Sequence, residues 1–265
     1  MANVETKTAL VTPDMCRDWL SRNPTNRKLD RRIVDQYARD MASGDWELNG
    51  ETICIDWNNN LINGQHRCTA SLKSGVAFQT ILVTGLPPKA RDTIDGGKKR
   101  TYGDRLQMRG LKNYSNVAAN ITFMAQIAGG NLKRHALSPK EMDRVLEKHP
   151  QIEESVALAR SSMSKISGWL GAVHCIATYL NMRDTADEFC EALQHGQKSY
   201  ENDAAVFFRD WFYKDMMKQN PSHIDFRRNL FVHAFNRFAA KQPLRQARLP
   251  EKFGIPGWTD KELGL

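Results

Sequence analysis

Apolar positions along the chain follow two regimes. Up to about residue 112, short alternating runs are mixed with helical stripes, whereas beyond it almost every apolar stripe keeps the 3.6-residue period of an α-helix. Thr12-Pro13-Asp14 offers an N-cap with proline in the first turn, and Met15, Trp19 and Leu20 then recur at helical spacing, which predicts a helix ending near Arg22. Asn23-Pro24-Thr25-Asn26 reads as a turn. After Asp30, a second N-cap, the residues Ile33, Val34, Tyr37, Ala38 and Met41 form one stripe that Ser43-Gly44 stops. At 52 to 56, Ile53 and Ile55 point one way and Thr52, Cys54 and Asp56 the other, the pattern of a half-buried strand. Asn58-Asn59-Asn60 tolerates left-handed backbone and returns Leu61-Ile62 as the second half of a hairpin. Gly64 then opens a helix at 65 to 73, closed by Ser74-Gly75, and 78 to 84 is β-branched enough for a further strand that Pro87-Pro88 ends. Helices are expected at 115 to 128, 138 to 148, 152 to 163, 169 to 181, 184 to 195, 202 to 219 and 224 to 241. In the last of these Phe226, Leu230, Phe231, Ala234, Phe235 and Phe238 share one wide face, whose helical spacing marks it as core rather than a base-stacking surface. Trp19, Trp46 and Trp169 fall at helix or helix-end positions where core packing is the default, and the segment with Trp258 is expected to tuck back onto the body.

Composition limits what such a chain can be. With 41% apolar and 26% charged residues among 265, there is ample material for a core, which excludes a disordered tail protein. No run of 18 apolar residues occurs, and Met1 to Pro13 lacks the basic and apolar regions of a secretory signal, so the expected location is the cytoplasm, away from membranes. The five cysteines are odd in number and show no C-x-x-C spacing, which argues against a disulfide framework or a structural zinc site.

Charge points towards polyanions. Lys plus Arg exceeds Asp plus Glu by 38 to 30, a formal +8. Lys98, Lys99, Arg100, Arg105, Arg109 and Lys112 face only one acid, Asp104, in their stretch, and from Arg209 to Lys252 ten basic residues stand against four acids. Each stretch reads either as a phosphate-facing surface or as an ordinary solvated face.

The segment with most chemical content is Asn63-Gly64-Gln65-His66-Arg67, where a strand turns into a helix. Backbone N–H groups at such a start converge on one spot and favour anions. Gly64 allows close backbone approach, Arg67 can offer a fork of donors to phosphate oxygens, and His66 is a neutral-pH proton carrier or a further donor. Taken alone, the same residues also describe a capped helix with a surface arginine.

In its first part the chain resembles the ParB/sulfiredoxin-like superfamily, and more closely phage-encoded proteins with a ParB-like N-terminal domain and a helical C-terminal half. The resemblance rests on Asn26-Arg27, Ala42-Ser43-Gly44-Asp45-Trp46, Asn49-Gly50, Asn63-Gly64-Gln65-His66-Arg67 with Ala70, and Thr93-Ile94-Asp95 with Arg100-Thr101, in that order. It implies an α+β nucleotide-binding domain at 8–112 followed by a mostly α-helical domain at 113–265. It further implies a Gly-x-x-Arg helix start that binds nucleotide phosphates, as in CTP-binding partition proteins, ATP-using sulfiredoxins and a free-serine kinase. Carried over residue by residue, Gly64, Gln65, His66 and Arg67 match that helix start, Asn26 and Arg27 the turn near the nucleotide, and Asp95 and Arg100 the pocket rim. Sulfiredoxins place a nucleophilic cysteine directly before the His-Arg pair, where this chain has Gln65, which speaks against sulfinate reduction through a thiol. Partition proteins carry Gly-Glu-Arg-Arg where this chain has Gly-Gln-His-Arg, which weakens a partition role.

Three functions are therefore open. The first is a phage DNA-associated nucleotide binder in an infected host's cytoplasm. It would take CTP or ATP with Mg2+ and hold DNA through Lys98, Lys99, Arg105 and Arg109. The second is an NTP-dependent phosphotransferase or hydrolase in which Arg67 stabilises phosphoryl charge and His66 acts as acid or base, with Glu51, Asp56 or Asp95 as metal-holding carboxylates. Asp56 reads more simply as a solvent-facing residue beside the turn. The third is a non-catalytic scaffold or host-interaction protein. Expected partners are DNA, a nucleotide and a second copy of the chain.

Overall fold

In a computed structural model the chain divides into two compact units, Met1–Lys99 and Arg100–Leu265, and the structure describes residues 3–23, 28–94, 100–133 and 137–265. The first unit is built on a mixed four-stranded sheet, and the second is helical.

In the first unit the strands are β1 (Glu5–Val11), β2 (Thr52–Asp56), β3 (Leu61–Asn63) and β4 (Phe78–Leu86), ordered β1-β4-β2-β3. Strand β4 runs antiparallel to β1 and parallel to β2, while β2 and β3 form an antiparallel hairpin. Helices α1 (Pro13–Ser21), α2 (Arg31–Ala42) and α3 (Gln65–Ser74) and a short 3-10 helix at Pro88–Thr93 also belong to this unit. Val11, Trp19, Val34, Met41, Ile53, Ile55, Leu61 and Phe78 make its core. Thr12 and Asp30 cap α1 and α2 by accepting from the Met15 and Arg32 amides, as their sequence positions suggest. Trp46 docks its ring edge-on between Tyr37 and Phe78, 5.5 and 5.4 Å away, and donates its indole N–H to the Gln79 carbonyl.

Two features of this sheet differ from the sequence pattern. Strand β1 was not signalled, because it is an edge strand in which only Val11 is buried, so no alternation marks it. Strand β2 is not half-exposed: Cys54 and Asp56 are as buried as Ile53 and Ile55, since β2 lies between β4 and β3. Asp56 does not face solvent. Its carboxylate accepts from the Asn58 and Asn60 amides and from the Asn60 side chain, closing the hairpin, while Asn59 takes the left-handed φ of 66° expected of the asparagine triplet.

The helical unit runs α4 (Tyr102–Met108), α5 (Tyr114–Ala128), α6 (Pro139–Lys148), α7 (Ile152–Ser162), α8 (Ser167–Tyr179), α9 (Arg183–His195), α10 (Ala204–Met216), α11 (Ile224–Ala239) and α12 (Asp260–Leu263). Seven of these helices follow the apolar stripes to within a few residues. Short α4 starts on a capping box of Thr101 and Asp104 and buries Tyr102 and Leu106 in the helical core, so the units divide at Lys99 and Arg100, whereas the sequence reading ended the first domain at 112. The aromatic face of α11 is core, with Phe231, Phe235 and Phe238 all within 6 Å of Phe189. All five cysteines are buried and unbridged. Among the described residues no helix is long and apolar enough to cross a membrane.

The segment after α11 folds back. Trp258 is buried and donates its indole N–H to the Met124 carbonyl at 3.0 Å, and it packs against His149 and Tyr179. His149 is fully buried, and its Nε2 meets the carbonyls of Glu262 and Leu263 at 3.0 and 3.2 Å. Two carbonyls can only accept, so Nε2 carries the proton, and the buried Nδ1 has no partner. Burial holds the imidazole below its ordinary value of 6.5, with Lys148 adding to the effect against the two carbonyls; His233 is lowered likewise, by burial and then Arg237. The unfolded chain therefore binds protons at a higher pH than the folded one. Stability should fall as pH drops below about 6.5 and level off below the folded values. Urea midpoints at pH 7.5 and 5.5 test this: the wild type should lose stability at the lower pH, and His149→Gln should lose less. Equal losses would show that His149 is not a source of the slope.

Candidate functional site

The start of α3 is shaped by one backbone requirement. Gly64 has φ +107° and lies against Ile53, so that a Cβ there would sit 2.2 Å from the Ile53 Cδ1. The glycine thus serves the interior: its missing side chain lets β3 turn directly into α3 above a buried isoleucine. The turn brings Gln65, His66 and Arg67, all more than nine-tenths buried, into one helical turn.

Each of the three has a defined contact. The Gln65 side-chain carbonyl accepts from the Asn23 amide group at 3.3 Å. The His66 Nε2 accepts from the Asp30 backbone N–H at 3.0 Å, so this nitrogen carries no proton and the ring ties the start of α2 to α3. Arg67 donates from Nη2 to the Thr52 carbonyl at 2.7 Å, while its buried Nη1 has no hydrogen-bond partner. The sequence reading pictured the whole Arg67 fork as open to a ligand. One arm instead holds the first residue of β2, and the other is an unused donor in a buried place.

Asn23 and Asp30 carry no sequence signal of a site, yet both lean on the first turn of α3. Nothing in composition signals this. Asp30 was visible only as an N-cap, which it also is, through its side chain. Asn26 and Arg27 themselves lie outside the described residues, as do Asp95, Lys98 and Lys99. Glu51 is exposed at the entry to β2, and the Asp56 carboxylate is engaged in its hairpin. Among the described residues, no group of three acids, histidines or cysteines is placed to hold a metal ion.

The remaining sequence-marked cations lie in the helical unit. Arg100 and Arg105 are exposed. Arg109 is already engaged: its guanidinium grips both oxygens of Asp143 at 2.6 and 3.1 Å, and the Tyr102 hydroxyl donates to the same carboxylate at 2.8 Å. Burial opposes the charge on Asp143, but Arg109 and Tyr102 outweigh it and hold the carboxyl below its ordinary value. In the second basic stretch several cations are likewise engaged. Lys218 and Arg227 hold the buried Asp215, Arg209 holds Asp210, and Arg228 reaches Asp225. Lys214, Lys241, Arg245, Arg248 and Lys252 are exposed and make no ion pair among the described residues. The chain matches no family model, no curated protein and no solved structure.

The bend at Gly64 can be tested by itself. Gly64→Ala combines a forbidden φ with the Ile53 contact and should destabilise by at least about 2 kcal/mol. Ile53→Val removes the Cδ1 and should recover part of the loss in the double variant but not the φ contribution. Denaturant midpoints of the four proteins in this cycle measure both, and strict additivity would show that the two positions do not meet.

Proposed function

We propose that the first unit is a nucleotide-binding module of the ParB/sulfiredoxin-like kind, seating the phosphates of CTP or ATP at the start of α3. In this reading the exposed cations of the helical unit hold DNA. The observation that carries the first part is Arg67. A guanidinium more than nine-tenths buried, with one arm anchored on Thr52 and the other unpaired, stands in the first turn of a helix. Leaving a buried donor unmade costs about 1–3 kcal/mol, and an anion at a helix start supplies the acceptor it lacks. Gly64, Gln65 and Arg67 form this phosphate seat. His66 is a positioning residue that uses Nε2 to hold Asp30, which favours binding over proton transfer. The resemblance adds Asn26, Arg27 and Asp95 of the same unit to the nucleotide site, and Mg2+ would enter on the phosphates.

For DNA, this reading uses Arg105, Lys241, Arg248 and Lys252, which are exposed and make no ion pair among the described residues, while Arg109 stays on Asp143. Each phosphate contact releases counterions, so log affinity for a duplex should fall against log salt by about 0.9 per contact.

The experiment is a thermal-shift panel of CTP, ATP, GTP and UTP with Mg2+ on the wild type and on Arg67→Lys. A nucleotide at about 100 times its Kd adds about 2.7 kcal/mol, a shift of several degrees for a chain this size. Lysine keeps the charge but cannot serve Thr52 and a phosphate together, so the shift should vanish in the variant. If no nucleotide moves the wild-type Tm at millimolar concentration, or the variant responds equally, the phosphate seat is wrong.

A further inference from the structure

Along α10, Asp203, Val206, Phe207, Asp210, Trp211 and Lys214 follow the i, i+3, i+4 rhythm of one helical stripe beginning at the N-cap, and all line a cleft of about 460 Å³. Lys198, Asn202, Leu244 and Arg245 close its other side. A volume of this order fits a small planar molecule or a single unit of a polymer.

Hydrogen bonds tie the walls together. The Leu244 amide donates to the Asn202 carbonyl at 3.0 Å, the Tyr200 hydroxyl lies between the Ala204 amide and the Gln242 carbonyl, and Arg237 donates to the Pro243 carbonyl at 2.8 Å. Val206 and Leu244 are buried, and Phe207 and Trp211 are half-buried. The indole of Trp211 is braced by Phe208 and Phe226, whose ring centres lie 6.1 and 5.8 Å away.

Three cations and two acids line this apolar floor, and they differ in what holds them. Lys198, Lys214 and Arg245 are exposed and unpaired among the described residues. The two acids are already satisfied: Asp203 is buried and accepts from the Ser199, Ala205 and Val206 amides, and Asp210 pairs with Arg209 at 2.9 Å. An aromatic floor favours a planar face, and a rim of three unneutralised cations favours a polyanion. A nucleotide carries both, and its base is available for stacking when it is not already paired in a duplex.

We propose that this cleft binds single-stranded nucleic acid, with a base against Trp211 and flanking phosphates on Lys198, Lys214 and Arg245. This goes beyond the phosphate seat of the first unit and does not rest on it: its parts belong to the helical unit, and it is read with an oligonucleotide rather than an NTP.

The test is fluorescence anisotropy of a labelled oligothymidylate of about twelve nucleotides with the full chain. The wild type should bind, and Lys198→Ala/Lys214→Ala/Arg245→Ala should weaken binding at least about tenfold and reduce the salt slope by about 2, near 0.7 for each lost contact. Trp211→Leu should weaken binding about tenfold. Because Trp211 also packs against the core, a second measurement bypasses that variant: an oligonucleotide carrying 5-iodouracil, photo-crosslinked to the wild type and digested with trypsin, should label the peptide 210 to 214. No binding at about 100 µM, undiminished binding by the triple variant, or crosslinks only elsewhere would each overturn the proposal. So would equal competition by a duplex, by polyglutamate or by free thymidine monophosphate, which would assign the cleft to a different ligand.

Discussion

The first unit depends on a contact that involves no functional group: the Ile53 side chain occupying the space where residue 64 would otherwise carry a Cβ. Because the space is filled, only glycine fits, and because it is glycine, the chain takes a positive φ and passes from strand to helix without a loop. The direction of α3 follows. So do the burial of Gln65, His66 and Arg67 and the two bonds that draw Asn23 and Asp30 onto the same turn. A hydrophobic packing event thus fixes where a polar cluster stands, which is how a short segment can hold a buried guanidinium with one arm unmatched.

Much of this architecture was legible in the sequence because helices declare themselves by period. The stripes through Val34, Ala38 and Met41 and through Phe231, Ala234, Phe235 and Phe238 lie in their cores as the spacing requires. What the sequence concealed has physical reasons. Strand β1 sits at an edge and buries one residue, so it has no alternation to detect. Cys54 and Asp56 look like the wet face of a strand, but β2 is an inner strand, and Asp56 is polar because three hairpin donors need an acceptor. Helix α4 is too short to show a period, and only its capping box betrays it. Within the site, the motif at 63 to 67 was visible, whereas the partner groups were not. The Thr52 carbonyl and the Asp30 amide are backbone atoms, and no side-chain chemistry announces them.

The distribution of positive charge shows a related limit of counting. A surplus of basic residues says that a polyanion would be attracted, but not which cations remain available. Arg109 and Arg227 are structural: one bridges α4 to α6 through Asp143, and the other joins Lys218 and Ser222 in holding a fully buried Asp215. Removing either would leave a carboxylate short of partners, and the loss would be read as instability rather than as weaker binding. The cations that can act outward are those that neighbouring acids have left alone, and three of them gather at one cleft.

The hydrogen bond from Trp258 to Met124 joins residues 134 apart, and His149 reaches over a similar span to the carbonyls of α12. In the order of synthesis, the sheet of the first unit has all its strands once β4 has emerged. The helical unit cannot fill the space beside His149 and Tyr179 until residues 258 to 263 follow. Loop closure over that distance is slow relative to local helix formation, so α5 to α9 can form before residues 258 to 263 pack against them. During translation the first unit therefore has every element of its fold while residues 258 to 263 of the helical unit have yet to emerge.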